Sequence, residues 1–360
     1  MEEFVFRTRV VVGAGAIAAL KSLGARRLFL VTEPCFSENG MAQKVIEAAG
    51  SREAEVFDAV TAEPTATLAA EVTAKCLSFQ PDMVAALGGG NALDCGKAAV
   101  YFGGLDIPLA TIPTFFGSGS QVTGQAVLTH EKNKYTLDSP RLQPALAILD
   151  EDFFLQHSPA LIGEAGFELL SHAVESYTAR NAGAIPSIFA REAFRTAYAC
   201  LPASFGGDDS LRPRLVLAST LAGMAYGQTG SGLSHAMAHA LGARFPVSQG
   251  RLQAILLPAV VGSNAQAAPR RYAQLARFGG LGGSCDASAV RCLKNGLTRL
   301  RRDLGLPRTL LQAGISPGAL WSQTGDIVAA VLKDPCCKTN PLEVEDFQIR
   351  RILEEVTGEG

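Results

Sequence analysis

Along the first 150 residues, short apolar and β-branched runs alternate with stretches of helical spacing. Arg27-Leu-Phe-Leu-Val-Thr32, Met83-Val-Ala-Ala-Leu87, Leu109-Ala-Thr-Ile112 and Ala145-Leu-Ala-Ile-Leu149 read as strands. Met41–Ala49 and Ala66–Phe79 read as helices between them. Strand and helix in alternation predict a parallel sheet with helices on both faces. After Asp150 the pattern changes to Ala- and Leu-rich sequence with apolar positions three and four apart, as at Ile188, Ala190, Phe194, Ala197 and Tyr198. The expectation is an α/β domain over 1–155 and an all-helical domain over 156–360, with the boundary near Ser158-Pro159 and a final amphipathic helix within 343–360.

Composition narrows the picture. Hydrophobic residues make up 48% and charged residues 18%, enough for a large core and against a disordered chain. A net charge of −2 gives no footprint for nucleic acid or an anionic membrane. The uncharged stretch 215–243 has the length of a membrane span, but its two histidines and five glycines predict buried helix and loop. Eight scattered cysteines with no C-x-x-C pair predict reduced thiols and a cytoplasmic protein. The acidic, alternating N-terminus (Met1-Glu-Glu-Phe-Val-Phe-Arg7) lacks the basic and apolar regions of a signal peptide.

Two loops carry candidate chemistry. Gly88-Gly-Gly-Asn-Ala-Leu-Asp94-Cys-Gly-Lys97 follows a strand and opens a helix, with Asn91 a suitable N-cap. Glycines there let backbone approach a pyrophosphate, and the helix N-terminus offers N–H groups and a positive dipole end. A plain tight β–α turn has the same sequence. Pro113–Thr123 follows the next strand and is dense in glycine and hydroxyls, suited to a ribose or phosphate or to a surface loop. Glu33 stands directly after a strand, where a carboxylate accepts ribose hydroxyls and repels a 2′-phosphate, or simply faces solvent.

Five histidines occur, three of them in helical segments of the second half. Glu168 and His172 are four residues apart, as are His235 and His239. Each pair shares one helix face and suits a metal ion, although satisfied core pairs have the same spacing.

Together these motifs resemble the iron-containing, or group III, alcohol dehydrogenase family over nearly the whole chain. The resemblance rests on Gly88–Lys97, Pro113–Thr123, Gly166-Phe-Glu168-Leu-Leu-Ser-His172-Ala-Val-Glu175, Ala222–Tyr226 with His235–His239, Ser248–Pro258, Asp303–Pro307 and Asn340-Pro341. It implies a Rossmann-like N-terminal domain and a helical C-terminal domain, in the dehydroquinate synthase-like architecture, with the active site in the cleft between them. It implies NAD(H) contacts at Glu33, Gly89, Gly90, Asn91, Asp94, Thr114, Ser118, Thr123, Lys134 and Phe153. It implies a divalent metal, Fe²⁺ or Zn²⁺, at Glu168, His172, His235 and Gln249, with His239 beside nicotinamide and substrate as the catalytic residue.

The implied activity is reversible hydride transfer between nicotinamide and a small primary alcohol or aldehyde, in a homodimer. Departures qualify it. Glu168 stands where the family has Asp, and Gln249 where it has His, and a glutamine is a poor ligand for Fe²⁺ or Zn²⁺. Phe115, Phe116 and Gln121 also depart from the loop pattern. A hydroxy-acid or polyol dehydrogenase, and a metal-free or inactive dinucleotide binder, are the alternatives. Arg244 and Arg251 flank Gln249 and suit either an anionic substrate group or the surface.

Overall fold

The structure, a computed structural model, describes residues 3–61 and 63–358. Two compact units can be distinguished. The first consists of Val5–His130 and Lys134–Gln156; the second is built mainly from the chain after Gln156.

In the first unit, strands β1 (Arg9–Val12), β2 (Arg27–Thr32), β3 (Glu53–Phe57), β4 (Met83–Gly88), β5 (Leu109–Pro113) and β8 (Leu146–Leu149) form one parallel sheet. Its order is β1-β8-β5-β4-β2-β3, while β6 (Gln125–His130) and β7 (Asn133–Asp138) form a separate pair. Helices α1 (Pro34–Glu38), α2 (Met41–Ala49), α3 (Ala66–Phe79) and α4 (Gly90–Phe102) make the crossovers. Central strands of a parallel sheet are covered on both faces, and their sequence shows it. Leu28, Leu30, Met83, Ala85, Ile112 and Ile148 pack on one side. Phe29, Val31, Val84 and Leu109 pack on the other. The two-residue period of the strand divides one apolar run between two cores.

The second unit is helical: α5 (Pro159–Thr178), α6 (Ala184–Phe205), α7 (Arg212–Thr229), α8 (Leu233–Gly242), α9 (Gln249–Asn264), α10 (Pro269–Phe278), α11 (Asp286–Asp303), α12 (Pro317–Ser322), α13 (Thr324–Lys333) and α14 (Asp346–Thr357). Ser158 caps α5 through its hydroxyl, which accepts from Leu161 N, with Pro159 in the first turn. Met237, Leu241, Leu256, Val331, Ile349 and Leu353 knit α8, α9, α13 and α14 into one core. The uncharged stretch 215–243 becomes α7 and α8, separated near Gly230 at φ 74°. No helix among the described residues is long and apolar enough to cross a membrane.

Strands β1, β3, β6 and β7 escape the apolar-run reading. β1 and β3 are the two edges of the sheet, so fewer of their positions are buried. The β6–β7 pair is largely polar and half-exposed. Met1, Glu2, Glu359 and Gly360, included in the N-terminal and C-terminal readings, lie outside the described residues.

Candidate active site

In the first unit, β4 ends at Gly88 with φ 146°, a conformation that favours glycine. Space demands glycine as well, since a Cβ there would lie 2.7 Å from Glu33 Oε1 and 2.8 Å from Ala92 Cβ. Gly89 N donates to Glu33 Oε1 at 3.0 Å. A Cβ on Gly90 would lie 2.9 Å from Ser118 Cβ. The three glycines thus bring Glu33 and Ser118 onto the start of α4, whose first-turn amides have no intrahelical acceptor. The N-cap is Gly89, not Asn91. α4 begins at Gly90, two residues earlier than an Asn91 cap requires, so Asn91 is exposed inside the first turn.

Lys97 holds the second loop. Its buried Nζ donates to the Ser120 carbonyl (2.6 Å), Ser120 Oγ (2.8 Å), Thr123 Oγ1 (3.0 Å) and the Gln125 carbonyl (2.6 Å). Burial draws this amine down to about 8, against the pull of Asp94. Asp94 accepts from Ser120 Oγ at 2.5 Å and Val127 N at 2.9 Å. Burial raises its carboxyl, opposed by Lys97, Ser120 and Val127. Asp94 and Thr123 therefore brace the loop from beneath. Thr114 is buried, donates from its N to the Gly88 carbonyl (3.1 Å), and accepts at its own carbonyl from Leu155 N (3.2 Å).

Two more residues expected at the cofactor have partners within the first unit. Lys134, on β7, is ion-paired with Glu63 at 2.6 Å. Phe153 is buried with Leu28 and Ile148 in the sheet core. The Phe115 and Phe116 rings meet tilted at 39°, 4.3 Å between centroids, with Phe116 buried.

In the second unit, α5 carries Glu168, His172 and Glu175, and α8 carries His235 and His239. The His172 ring stacks on Tyr226 at 4.2 Å and meets the His235 ring at 4.3 Å. Glu175 accepts from Gly232 N (3.1 Å) and Ser234 N (2.5 Å), and it hydrogen-bonds His235 Nδ1. Burial pulls the His235 imidazole down to about 3, so the ring is neutral near pH 7. Burial also raises Glu175, and the N–H groups of Ser234, His235 and Gly232 oppose it. As a carboxylate, Glu175 takes the Nδ1–H of His235 and leaves the lone pair at Nε2. A carboxylate behind a histidine is the usual arrangement at a ligating imidazole.

The N-terminus of α9 is seated on α5 one turn before Glu168. Ser248 Oγ donates to Glu164 Oε2 at 2.6 Å, and Arg251 donates to Glu164 Oε1. A Cβ on Gly250 would lie 2.1 Å from the Glu164 carbonyl oxygen, so only glycine permits this approach. Gln249 begins α9 here.

His239 Nδ1 hydrogen-bonds Asp334 Oδ2 at 2.9 Å. Burial works against the Asp334 carboxylate, but the hydrogen bond and charge of His239 hold it below the usual range. Cys336 N donates to Asp334 Oδ1 at 2.8 Å. Burial, then the Asp334 charge, keeps the Cys336 thiol protonated.

The side chains present fit a divalent cation. His235 Nε2 and both amide atoms of Gln249 are buried without a hydrogen-bond partner among the described residues. Imidazole, carboxylate and amide oxygen form a donor set suited to Fe²⁺ or Zn²⁺, with Gln249 its weakest member. His239, Asp334 and Cys336 also gather ligand atoms, within 4.8 Å of one another. Glu175, Asp334 and Cys336 escaped assignment from sequence. The signals were Glu175 at the end of Gly166–Glu175 and Asp334-Pro-Cys336 shortly before Asn340-Pro341.

Both parts of the chain match one known family. The iron-containing alcohol dehydrogenase family matches residues 7–151, and the C-terminal part of the Fe-containing alcohol dehydrogenase family matches 163–357. A 1-propanol dehydrogenase of Citrobacter freundii is 32% identical, covering 99% of this chain and 100% of its own. An alcohol dehydrogenase of Oenococcus oeni superimposes with a TM-score of 0.92 at 26% identity, over 99% of this chain and 100% of that one. An iron-containing alcohol dehydrogenase of Thermococcus thioreducens does so at 0.91 and 27%, with the same coverage of both chains. This chain belongs to the iron-containing alcohol dehydrogenase family.

Proposed function

We propose that the protein is an NAD(H)-dependent alcohol dehydrogenase, or aldehyde reductase, acting on small primary alcohols and their aldehydes. The observation that carries the reading is His235, fixed at Nδ1 by Glu175 with a buried, unpartnered Nε2 beside His172. Alcohol dehydrogenation by family members and the 1-propanol dehydrogenase relative support a short-chain substrate.

His235 and His172, with Glu168 and Gln249, would hold a divalent metal. When bound, the metal supplies Lewis acidity toward the substrate oxygen and NAD(H) supplies or accepts the hydride. Glu33, beside the glycine loop, would accept the adenosine ribose hydroxyls and disfavour a 2′-phosphate. The first-turn amides of α4 and Ser118 would face the cofactor phosphates. His239, oriented through Nδ1 by Asp334, would exchange the alcohol proton with solvent at Nε2. Glu175 positions His235 and touches no reactant.

Eight cysteines without a disulfide favour a reducing, cytoplasmic setting. The exposed edge of β1, with Val12 at its end, supports a homodimer in which edge strands meet. An anionic substrate gains no support. Arg251 is engaged by Glu164, and Arg244 by the Ala240 and Asp326 carbonyls.

The test is NADH oxidation with propanal, before and after adding Fe²⁺ or Zn²⁺, alongside metal content by elemental analysis. Turnover that tracks about one metal per chain supports the reading. Turnover without metal overturns the Lewis-acid part. No turnover under any addition leaves a dinucleotide binder.

A further inference from the structure

A polar cavity lies in the helical unit, lined by side chains that take no part in the site above. Arg301, near the end of α11, is only 7% exposed. Its burial has a local reason. Pro258 lies inside α9 and has no N–H to give the Ala254 carbonyl four residues back. Arg301 Nη1 donates to that carbonyl instead, at 3.4 Å. One long hydrogen bond uses one of five guanidinium donors.

The surroundings add positive charge rather than neutralise it. Arg301 and Arg308 line two adjoining cavities of about 630 and 690 Å³, and both cavities also share Asn295, Thr298 and Gln312. Lys294 lines the first and Arg299 and Arg302 the second. Glu355 also lines the first, where it is paired with Lys294 at 2.9 Å, and Arg302 is paired with Asp303. Among the described residues no carboxylate lies within 4.0 Å of the guanidinium of Arg299, Arg301 or Arg308. A buried guanidinium without a counter-charge is costly, and a bound anion removes the cost. Paired guanidinium forks match the oxygens of a phosphate group. A cavity of this size also admits an organic body beside the anion.

We propose that Arg301 and Arg308 form a binding site for a phosphate-bearing small molecule, separate from the cofactor and from the histidine cluster. Its chemistry is recognition of a multiply charged phosphate by two guanidiniums, with Thr298, Asn295 and Gln312 offering further polar contacts.

Inorganic pyrophosphate is the probe, titrated calorimetrically into the full-length protein saturated with NAD⁺ so that the α4 phosphate loop is filled. The expected result is one pyrophosphate per chain, with Kd raised on the order of tenfold in Arg308→Gln. Arg308 is exposed, so this variant keeps the fold. Arg301→Gln should weaken binding further, and Arg350→Gln, on exposed α14 surface, should leave it unchanged. No binding to the wild-type protein would overturn the proposal. So would binding that Arg308→Gln and Arg301→Gln both leave intact, because the anion would then sit elsewhere.

Discussion

His239 Nδ1 and Asp334 Oδ2 are 2.9 Å apart, across a loop-to-helix contact that joins α8 to the segment after α13. The contact commits Nδ1 of His239 to the protein and, in the proposed mechanism, leaves Nε2 for proton exchange. Asp334→Asn should therefore lower kcat on the order of a hundredfold while KM for NADH changes little. Steady-state kinetics with a pH profile checks this. A merely structural Asp334 would lower stability without moving the kcat profile.

Glu33 Oε1 accepts from Gly89 N at 3.0 Å, at the start of the α4 helix. Glu33→Ser should raise KM for NADH roughly tenfold, the loss of a charge-assisted hydrogen bond. It should also shift the NADPH-to-NADH ratio of kcat/KM upward, because the carboxylate no longer repels a 2′-phosphate.

Gln249 offers a neutral amide where an imidazole would bind far better. Gln249→His should hold Zn²⁺ or Fe²⁺ more tightly, and His235→Ala less tightly, as read by metal retained after dialysis. Equal retention in wild type, Gln249→His and His235→Ala would remove both residues from the metal.

Gly250→Ala places a methyl group against backbone, 2.1 Å from the Glu164 carbonyl oxygen. Backbone cannot swing aside as a side chain can, so the variant should lose about 3 kcal/mol or more. Urea unfolding measures the loss. The α9 N-terminus would shift on α5, so metal retention should fall with it.

His157 precedes α5, and burial, then the charge of Arg212, draws its imidazole down to about 4. The unfolded chain takes up this proton near pH 6.5, the folded one only near 4. Between these values the unfolded state binds more protons, so stability falls as pH is lowered through the window. His157→Gln should flatten that part of the urea-midpoint profile; an unchanged slope would assign it to other groups.

The sheet was legible because central strands buried on both faces are continuous apolar runs, as at Leu28–Val31 and Met83–Leu87. The polar β6–β7 pair was not, because half-exposed strands lack that signature. At the site, helical spacing alone put Glu168 with His172 and His235 with His239. Their partners were harder to see. Glu175 lies sixty residues from His235, and Asp334 ninety-five from His239. Only tertiary packing reveals such pairs. Glycine spacing marked the turn between β4 and α4, but it could not separate Glu33 and Ser118, which meet the glycines, from Asp94 and Thr123, which brace the next loop. Lys134 and Phe153 carried no local signal of the ion pair and the core packing that hold them.

The most direct test follows the transferred atom. The protein, loaded with Fe²⁺ or Zn²⁺, is incubated with propanal and NADH deuterated at nicotinamide C4, and the alcohol is analysed by mass spectrometry. The account predicts propanol carrying one deuterium at C1, formed in proportion to bound metal and lost in His235→Ala. Unlabelled propanal recovered intact under every metal condition, from protein that binds NADH, would contradict it.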